Sequence, residues 1–237
     1  MATFSRGEKD ELHQRWVAHA TSFCQAGAMI RPTLTDLGIA LLGLLATGQT
    51  AHASQPQTWT FDPVHTQVIF FADHLGFSHA IGRLKLEQGW FQFDPDDWST
   101  AQADVVINIG SLDMGEPAWT KKVLSPAFLD AERWPSARYI STSLEKTGKD
   151  TGVLHGDLWL RGEKQSVDLE VTFNRIGGDP YAFKTKAGFS ARTTLDRFAF
   201  GMDSYHDVVA GPVELRIEVE GVRGGNKDKN VDATERN

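Results

Sequence analysis

Five histidines, one serine in a hydrolase-like string and one arginine among aromatics are the residues whose types and spacing could do chemistry. After Ala53 the histidines are His65, His74, His79, His155 and His206, with the first three inside a span of fifteen residues. That density raises the question of a metal. No two of them stand at the i, i+2 spacing that puts strand residues on one face, and no cysteine or tight carboxylate cluster completes a ligand set, so no metal centre is expected. The string Gly76-Phe77-Ser78-His79-Ala80 imitates a nucleophile elbow. It lies between two strand patterns, however, and an elbow needs a strand-to-helix turn, so no catalytic serine is assigned. Phosphate loops, dinucleotide fingerprints and H-E-x-x-H are missing from the sequence as well.

His74 and Arg197 are the polar candidates that remain. His74 follows Val68, Phe70 and Ala72 on one parity, which points it into an apolar interior, where a neighbour or a ligand head group would take its hydrogen bond. Arg197, in Leu195-Asp196-Arg197-Phe198-Ala199-Phe200, could pair with a carboxylate such as Asp62 or Asp196, or reach a phosphate or quinone oxygen.

The elements that must position these residues have period two. Apolar residues alternate over Thr58 to Asp62, Gln67 to Leu75, Ala80 to Phe93, Ala101 to Ile109, Ala137 to Lys146, Val153 to Leu160, Ser166 to Ile176, Tyr181 to Phe200 with a break, and Val213 to Val222. Turn signals separate them at Asp94-Pro95-Asp96, Thr147 to Asp150, Arg161-Gly162-Glu163 and Gly177 to Pro180. One stretch, Glu116 to Asp130, reads as a short helix opened by Pro117 and ending near Pro126. Many strands, short turns and one helix predict an all-β fold, a closed antiparallel barrel in preference to a sandwich.

The inward parity collects Phe70, Leu84, Leu86, Leu158, Leu169, Val171 and Leu215. An eight-stranded barrel can pack such residues on one another or hold one ligand. Ala72, Gly82 and Ala191, small residues on that parity, favour a cavity.

Composition bounds the partners. The chain has 237 residues, 41% hydrophobic and 23% charged, with a net charge of -7, so no surplus of cations is available for nucleic acid or an anionic membrane surface. The apolar run Leu37 to Ala46 is too short to span a bilayer, which takes about 20 residues. With Arg31 before it and Ala51-His52-Ala53 after it, the run reads as a secretory signal peptide cut after Ala53, Met29 being the better start. A buried N-terminal helix is the competing reading. Residues 1–53 are thus taken as extension and signal peptide, 54–223 as the barrel domain and 224–237 as a polar tail. Cys24 falls ahead of the cut, leaving the exported chain without thiols or disulfides.

The order of these residues resembles the YceI-like family of polyisoprenoid-binding proteins, from about Trp59 to Val222. The matching pieces begin with Trp59-x-Phe61-Asp62-x-x-His65-x-x-Val68-x-Phe70-x-x-x-His74, then Gly82-x-Leu84-x-Leu86 and Gly89. The middle supplies Ser111-Leu112-Asp113, Leu124-Ser125-x-x-Phe128-Leu129-Asp130 and Trp134-Pro135-x-x-x-Tyr139-x-Ser141. The end supplies Gly156-x-Leu158-x-Leu160-Arg161-Gly162, Gly188-Phe189 and Arg197-x-x-Phe200-Gly201-Met202. Two departures stand out: Thr120, Lys121 and Val123 replace an Arg-Asp pair and a His, and Leu84 stands where an aromatic is common.

The resemblance implies a lipocalin-like barrel in the periplasm whose interior takes an isoprenoid lipid, an isoprenoid quinone or a polyprenyl phosphate, with no covalent cofactor. The residues expected to line it are Phe70, Ala72, His74, Leu84, Leu86, Leu158, Leu169, Val171, Arg197 and Leu215. A membrane redox protein is a candidate recipient, and the oligomeric state stays open, a homodimer included. Two other functions would use the same barrel: a lipid-modifying enzyme with His74 or His65 as acid or base, and a structural or stress-protective barrel with a packed core. The export reading has a direct test. N-terminal sequencing of the envelope fraction should return Ser-Gln-Pro-Gln, starting at Ser54; intact Met1 in the cytoplasm would contradict export.

Overall fold

The computed structural model describes residues 55–224. The signal peptide, Met29, Cys24 and nearly all of the polar tail therefore lie outside the described residues. Within them the alternating segments form nine strands: β1 (Gln57–Phe61), β2 (Gln67–His74), β3 (Ser78–Phe93), β4 (Gln102–Asp113), β5 (Ser136–Lys146), β6 (Thr151–Leu160), β7 (Glu163–Asp179), β8 (Lys184–Asp196) and β9 (Val209–Arg223). Between β4 and β5 lies the helix α1 (Pro117–Leu124). Glu116 caps it by accepting from the Trp119 amide at 2.8 Å, and Pro117 occupies a first-turn position where a missing N–H costs nothing.

All pairings between these strands are antiparallel, and they close on themselves. From β2 the order runs through β9, β8, β7, β6, β5 and β4 to β3, which returns to β2. β1 fills the rest of the place β2 begins: it pairs with β3 over Gln57–Thr60 and with β9 over Thr60–Phe61, past the region where β2 holds the same two partners. Nine strands thus make a barrel of eight positions, the size whose interior holds packed side chains or one small ligand. The register lays residues of one parity side by side. Leu84, Val68, Ile217, Ala191 and Val171 form one such row across β3, β2, β9, β8 and β7.

Turn chemistry accounts for the hairpins, with one displacement. Arg161 and Gly162, at φ 55° and 82°, join Leu160 and its partner Glu163, a two-residue turn whose twist matches the strands. Leu75 and Gly76 (φ 57° and 71°) begin the three-residue connection from His74 to its partner Ser78, which places Ser78 at the start of a strand in a hairpin. The glycine pair expected to turn the chain at Gly177-Gly178 instead stays in β7, and the turn comes at residues 180–183. Asp179 explains the delay, because its carboxylate accepts from the Tyr181 and Ala182 amides at 2.9 and 3.1 Å.

Two apolar clusters line the interior. Toward the β1 end, Trp59, Phe91, Phe93, Trp98 and Ala187 are buried, with Phe173 and Phe189 packed against them. The larger cluster, with Ile109, Tyr139, Leu158, Phe200 and Met202, extends toward the α1 end.

Outside the β1 end a charge network ties three turns and strands together. Lys186 Nζ lies 3.1 Å from Asp62, 3.2 Å from Asp179 and 2.8 Å from Glu220, and His65 Nδ1 lies 2.9 Å from Asp62. Burial pushes the Asp62 carboxyl up, but hydrogen bonds from His65, Lys186 and the Val64 amide outweigh it and hold the pKa at about 2 against an ordinary 3.8. Because the folded value is the lower one, the stabilisation is whole above pH 3.8 and is lost as pH falls toward 2. Urea melts across pH should therefore find Lys186→Met less stable than the parent at neutral pH, with the gap narrowing through that window; a gap independent of pH would exclude the coupling. In the aromatic cluster, Phe93→Ala should cost about 3–5 kcal/mol by the same melts.

Candidate functional site

A cavity of about 330 Å³ runs through the barrel interior, lined almost wholly by apolar side chains from every strand. Its size falls at the small end of ligand pockets, roughly 300–1,000 Å³. The inward parity set by closure puts Phe70, Ala72, Leu84, Leu86, Leu158, Leu169, Val171 and Leu215 on its wall, together with Arg197. These nine were marked from the sequence, and the fold brings them around one space.

His74, the tenth, is not on that wall. It is the last residue of β2, where the strand gives way to the hairpin turn, and the pairing with β9 slips just before it, from Ala72 opposite Val213 to His74 opposite Val209. The His74 ring lies 6.1 Å from Trp119 of α1 instead. Pro212 stands at the slip, where a proline in a strand was the available signal. Gly82 also departs from expectation. A Cβ there would collide with the Phe70 ring and lie 2.7 Å from Met114 Sδ, so the room Gly82 leaves is taken by Phe70.

Arg197 is buried, at 3% exposure, and makes no ion pair with Asp62 or Asp196. Asp62 is at the other end with Lys186, and Asp196 accepts from the Phe198 amide at 3.1 Å. The guanidinium instead collects backbone carbonyls: Nε donates to Ala210 at 3.0 Å, Nη1 to Met202 and to Ser204 at 2.9 Å, and Nη2 to Val209 at 2.8 Å. Its carbon sits 4.5 Å from the Phe198 ring. Burial draws its pKa down while Asp203 and Asp196 push it up, and an arginine in that balance stays charged. The fork thereby straps the segment from Met202 to Ala210 across the α1 end. Lys122 joins the strap to the helix through the Tyr205 hydroxyl at 2.5 Å.

The other polar groups on the wall that matter are engaged. Thr66 donates to the Glu220 carbonyl at 3.1 Å and accepts from its amide at 3.2 Å. The Tyr139 hydroxyl shares its proton between the carbonyls of Leu154 and Val167, at 3.0 and 3.1 Å, and burial pushes its pKa well above the ordinary tyrosine value. Sequence reasoning missed the parts of the wall that lie outside strand parity, such as Val123 of α1, Phe128 and Met202. Phe128 and Met202 stood inside motifs already marked, but nothing in their spacing aimed them inward.

Asp62, His65 and Glu220 bring three ligand-type atoms within 4.8 Å of one another, a convergence of distant residues that spacing along the chain does not disclose. Lys186 Nζ reaches both carboxylates there, so an ammonium supplies the positive charge that cluster calls for. Neither His65 nor His74 is on the cavity wall.

The YceI-like domain matches residues 59–221 of this chain. A UPF0312 protein of Pseudomonas putida is 32% identical over 197 residues, which is 82% of this chain and 99% of that one. Among solved structures, BcnA of Burkholderia cenocepacia superposes with a TM-score of 0.60 at 19% identity, covering 68% of this chain and 98% of its own. A polyisoprenoid binding domain from Saccharophagus degradans implicated in plant cell wall breakdown does so at 0.55 and 9%, covering 71% and 99%. At those identities the two structures speak for the fold. The domain match and the identity with the Pseudomonas protein over most of both chains establish that this chain belongs to the YceI-like family.

Proposed function

We propose that the protein is an exported carrier that holds a polyisoprenoid-type lipid, an isoprenoid quinone or a polyprenyl phosphate, in the barrel interior and does no chemistry on it. The observation that carries this reading is the cavity. At the rate for an enclosed apolar void, about 24 cal/mol per Å³, 330 Å³ left unfilled sets an upper bound on the order of 8 kcal/mol. That is comparable to the whole stability of a domain, about 5–15 kcal/mol. A packed, ligand-free barrel has no reason to carry such a loss, whereas an apolar chain inside recovers it at about 0.8 kcal/mol per buried carbon.

The lining also supports one orientation. Aromatic rings close the β1 end, and Arg197, the one formal charge on the wall among the described residues, lies at the α1 end, so the tail points to the rings and the head group to the strap. Among the described residues His65 and His74, the acid or base candidates of the enzyme reading, are off the cavity wall, so that reading has no group placed against a cargo. The signal-peptide pattern supports delivery in the periplasm, and the Saccharophagus domain is a polyisoprenoid-binding precedent for the fold. A membrane redox protein is the proposed recipient where the cargo is a quinone.

Native mass spectrometry of protein purified from its own envelope should detect a co-purifying isoprenoid. Ala72→Trp then separates cavity from core, since Ala72 sits on the wall between Ala80 and Val213. In a carrier the indole takes ligand space, so binding weakens tenfold or more, about 1.4 kcal/mol, while the melting temperature holds. In a solid core the same ring overpacks and costs about 1–3 kcal/mol of stability; that outcome, with no lipid on the parent, would refute the proposal.

A further inference from the structure

We infer that the aromatic wall at the β1 end is a ruler that fixes the length of isoprenoid tail the barrel accepts; the inference rests on the carrier reading. Phe91, Phe93 and Phe189 line the cavity there and lock one another edge to face, Phe189 lying 5.5 Å from Phe91 and 4.9 Å from Phe93. Phe91 and Phe93 are backed by a second layer. Trp59, with no exposure, stacks on Phe91 at 6.1 Å, and Trp98 meets the edge of Phe93 at 5.3 Å. Phe91 also occupies room that only a glycine leaves, because a Cβ on Gly221 would collide with its ring. Phe91 and Phe93, buried and held in this way, do not swing aside for a longer guest.

A fixed wall gives tail length an optimum. A tail too long for the space leaves carbons in water or drives its head group past the strap, and one too short leaves an unfilled apolar void. Two wall positions can move the stop in opposite directions. Phe189 is only half-buried, so trimming it deepens the space with less injury than trimming Phe93. Ala103 lines the cavity directly across the β3–β4 ladder from Phe91, so enlarging it shortens the space. A phenyl ring has about the bulk of one five-carbon unit, which sets the expected step.

The experiment titrates delipidated parent, Phe189→Ala and Ala103→Leu with a ladder of linear prenols from farnesol upward, circular-dichroism melts verifying that each is folded. The tightest-binding prenol should lengthen by one isoprene unit or more in Phe189→Ala and shorten by one unit in Ala103→Leu. Should Phe189→Ala not fold, Phe189→Leu and Ala103→Leu read the same wall. Prenol binding with the same preferred length in parent and both variants overturns the ruler and leaves the carrier reading standing. No prenol bound by the parent at any length overturns the carrier reading, and the ruler with it.

Discussion

Closure of the sheet is the constraint on which the other features rest. Because β3 pairs with β4 on one side and with β2 and β1 on the other, the eight strand positions have no free edge, and the backbone donors and acceptors of an edge strand need no other cover. A closed sheet leaves its inner face a single common volume. Side-chain parity then assigns every second residue to that volume whether or not there are enough atoms to fill it. Small residues such as Ala72, Ala103 and Ala191 on the inner face leave it unfilled, so the cavity follows from the same period-two pattern that builds the strands.

The ends of such a volume must be closed by something other than the sheet, and this chain uses opposite physics at the two. At the β1 end the seal is dispersion and ring geometry, with a charge network around Lys186 binding the outer turns. At the α1 end the seal is a strap of irregular backbone whose carbonyls would be costly to leave unpaired. One buried guanidinium satisfies four of them. A lysine could not replace it, because an ammonium has three donors on a point and no planar fork.

The strands were legible because half-buried strands repeat every two residues, and all nine segments carry that alternation from Trp59 to Val219. Closure into a barrel was less so, since periodicity is the same in a sandwich; the many strands, short turns and single helix favoured it and the family resemblance agreed. The interior residues on regular strands could be read by parity, as Phe70, Leu158 and Leu215 illustrate. Parity along a strand does not say how far the cavity extends, and His74 is the case: it shares the parity of Phe70 and Ala72 but ends β2, beside Trp119 of α1 and off the wall. Arg197 was recognisable as important but its partners were not, because backbone carbonyls of a loop leave no trace in side-chain pattern. In the network of Asp62, His65, Lys186 and Glu220 only the Asp62–His65 pair is local; Lys186 and Glu220 come from more than 120 positions away, and no spacing along the chain encodes their arrival.

The asymmetry of the ends sets where the interior opens at least cost. Parting the β1 end means separating interlocked rings that include the fully buried Trp59 and exposing their faces to water, at about 25 cal/mol for each Å² of apolar surface. The α1 end has a weaker member. None of the eight residues of α1 is fully buried, yet Val123 lines the cavity, so lifting the helix uncovers the interior while breaking few apolar contacts. Elements with little buried surface are the ones that open locally below the cost of global unfolding. Lys122, held to Tyr205, is then the contact that keeps the helix against the strap, and the strap is in turn fixed by Arg197. The one charged side chain on the cavity wall among the described residues, Arg197, therefore stands beside the end that parts at the lower cost.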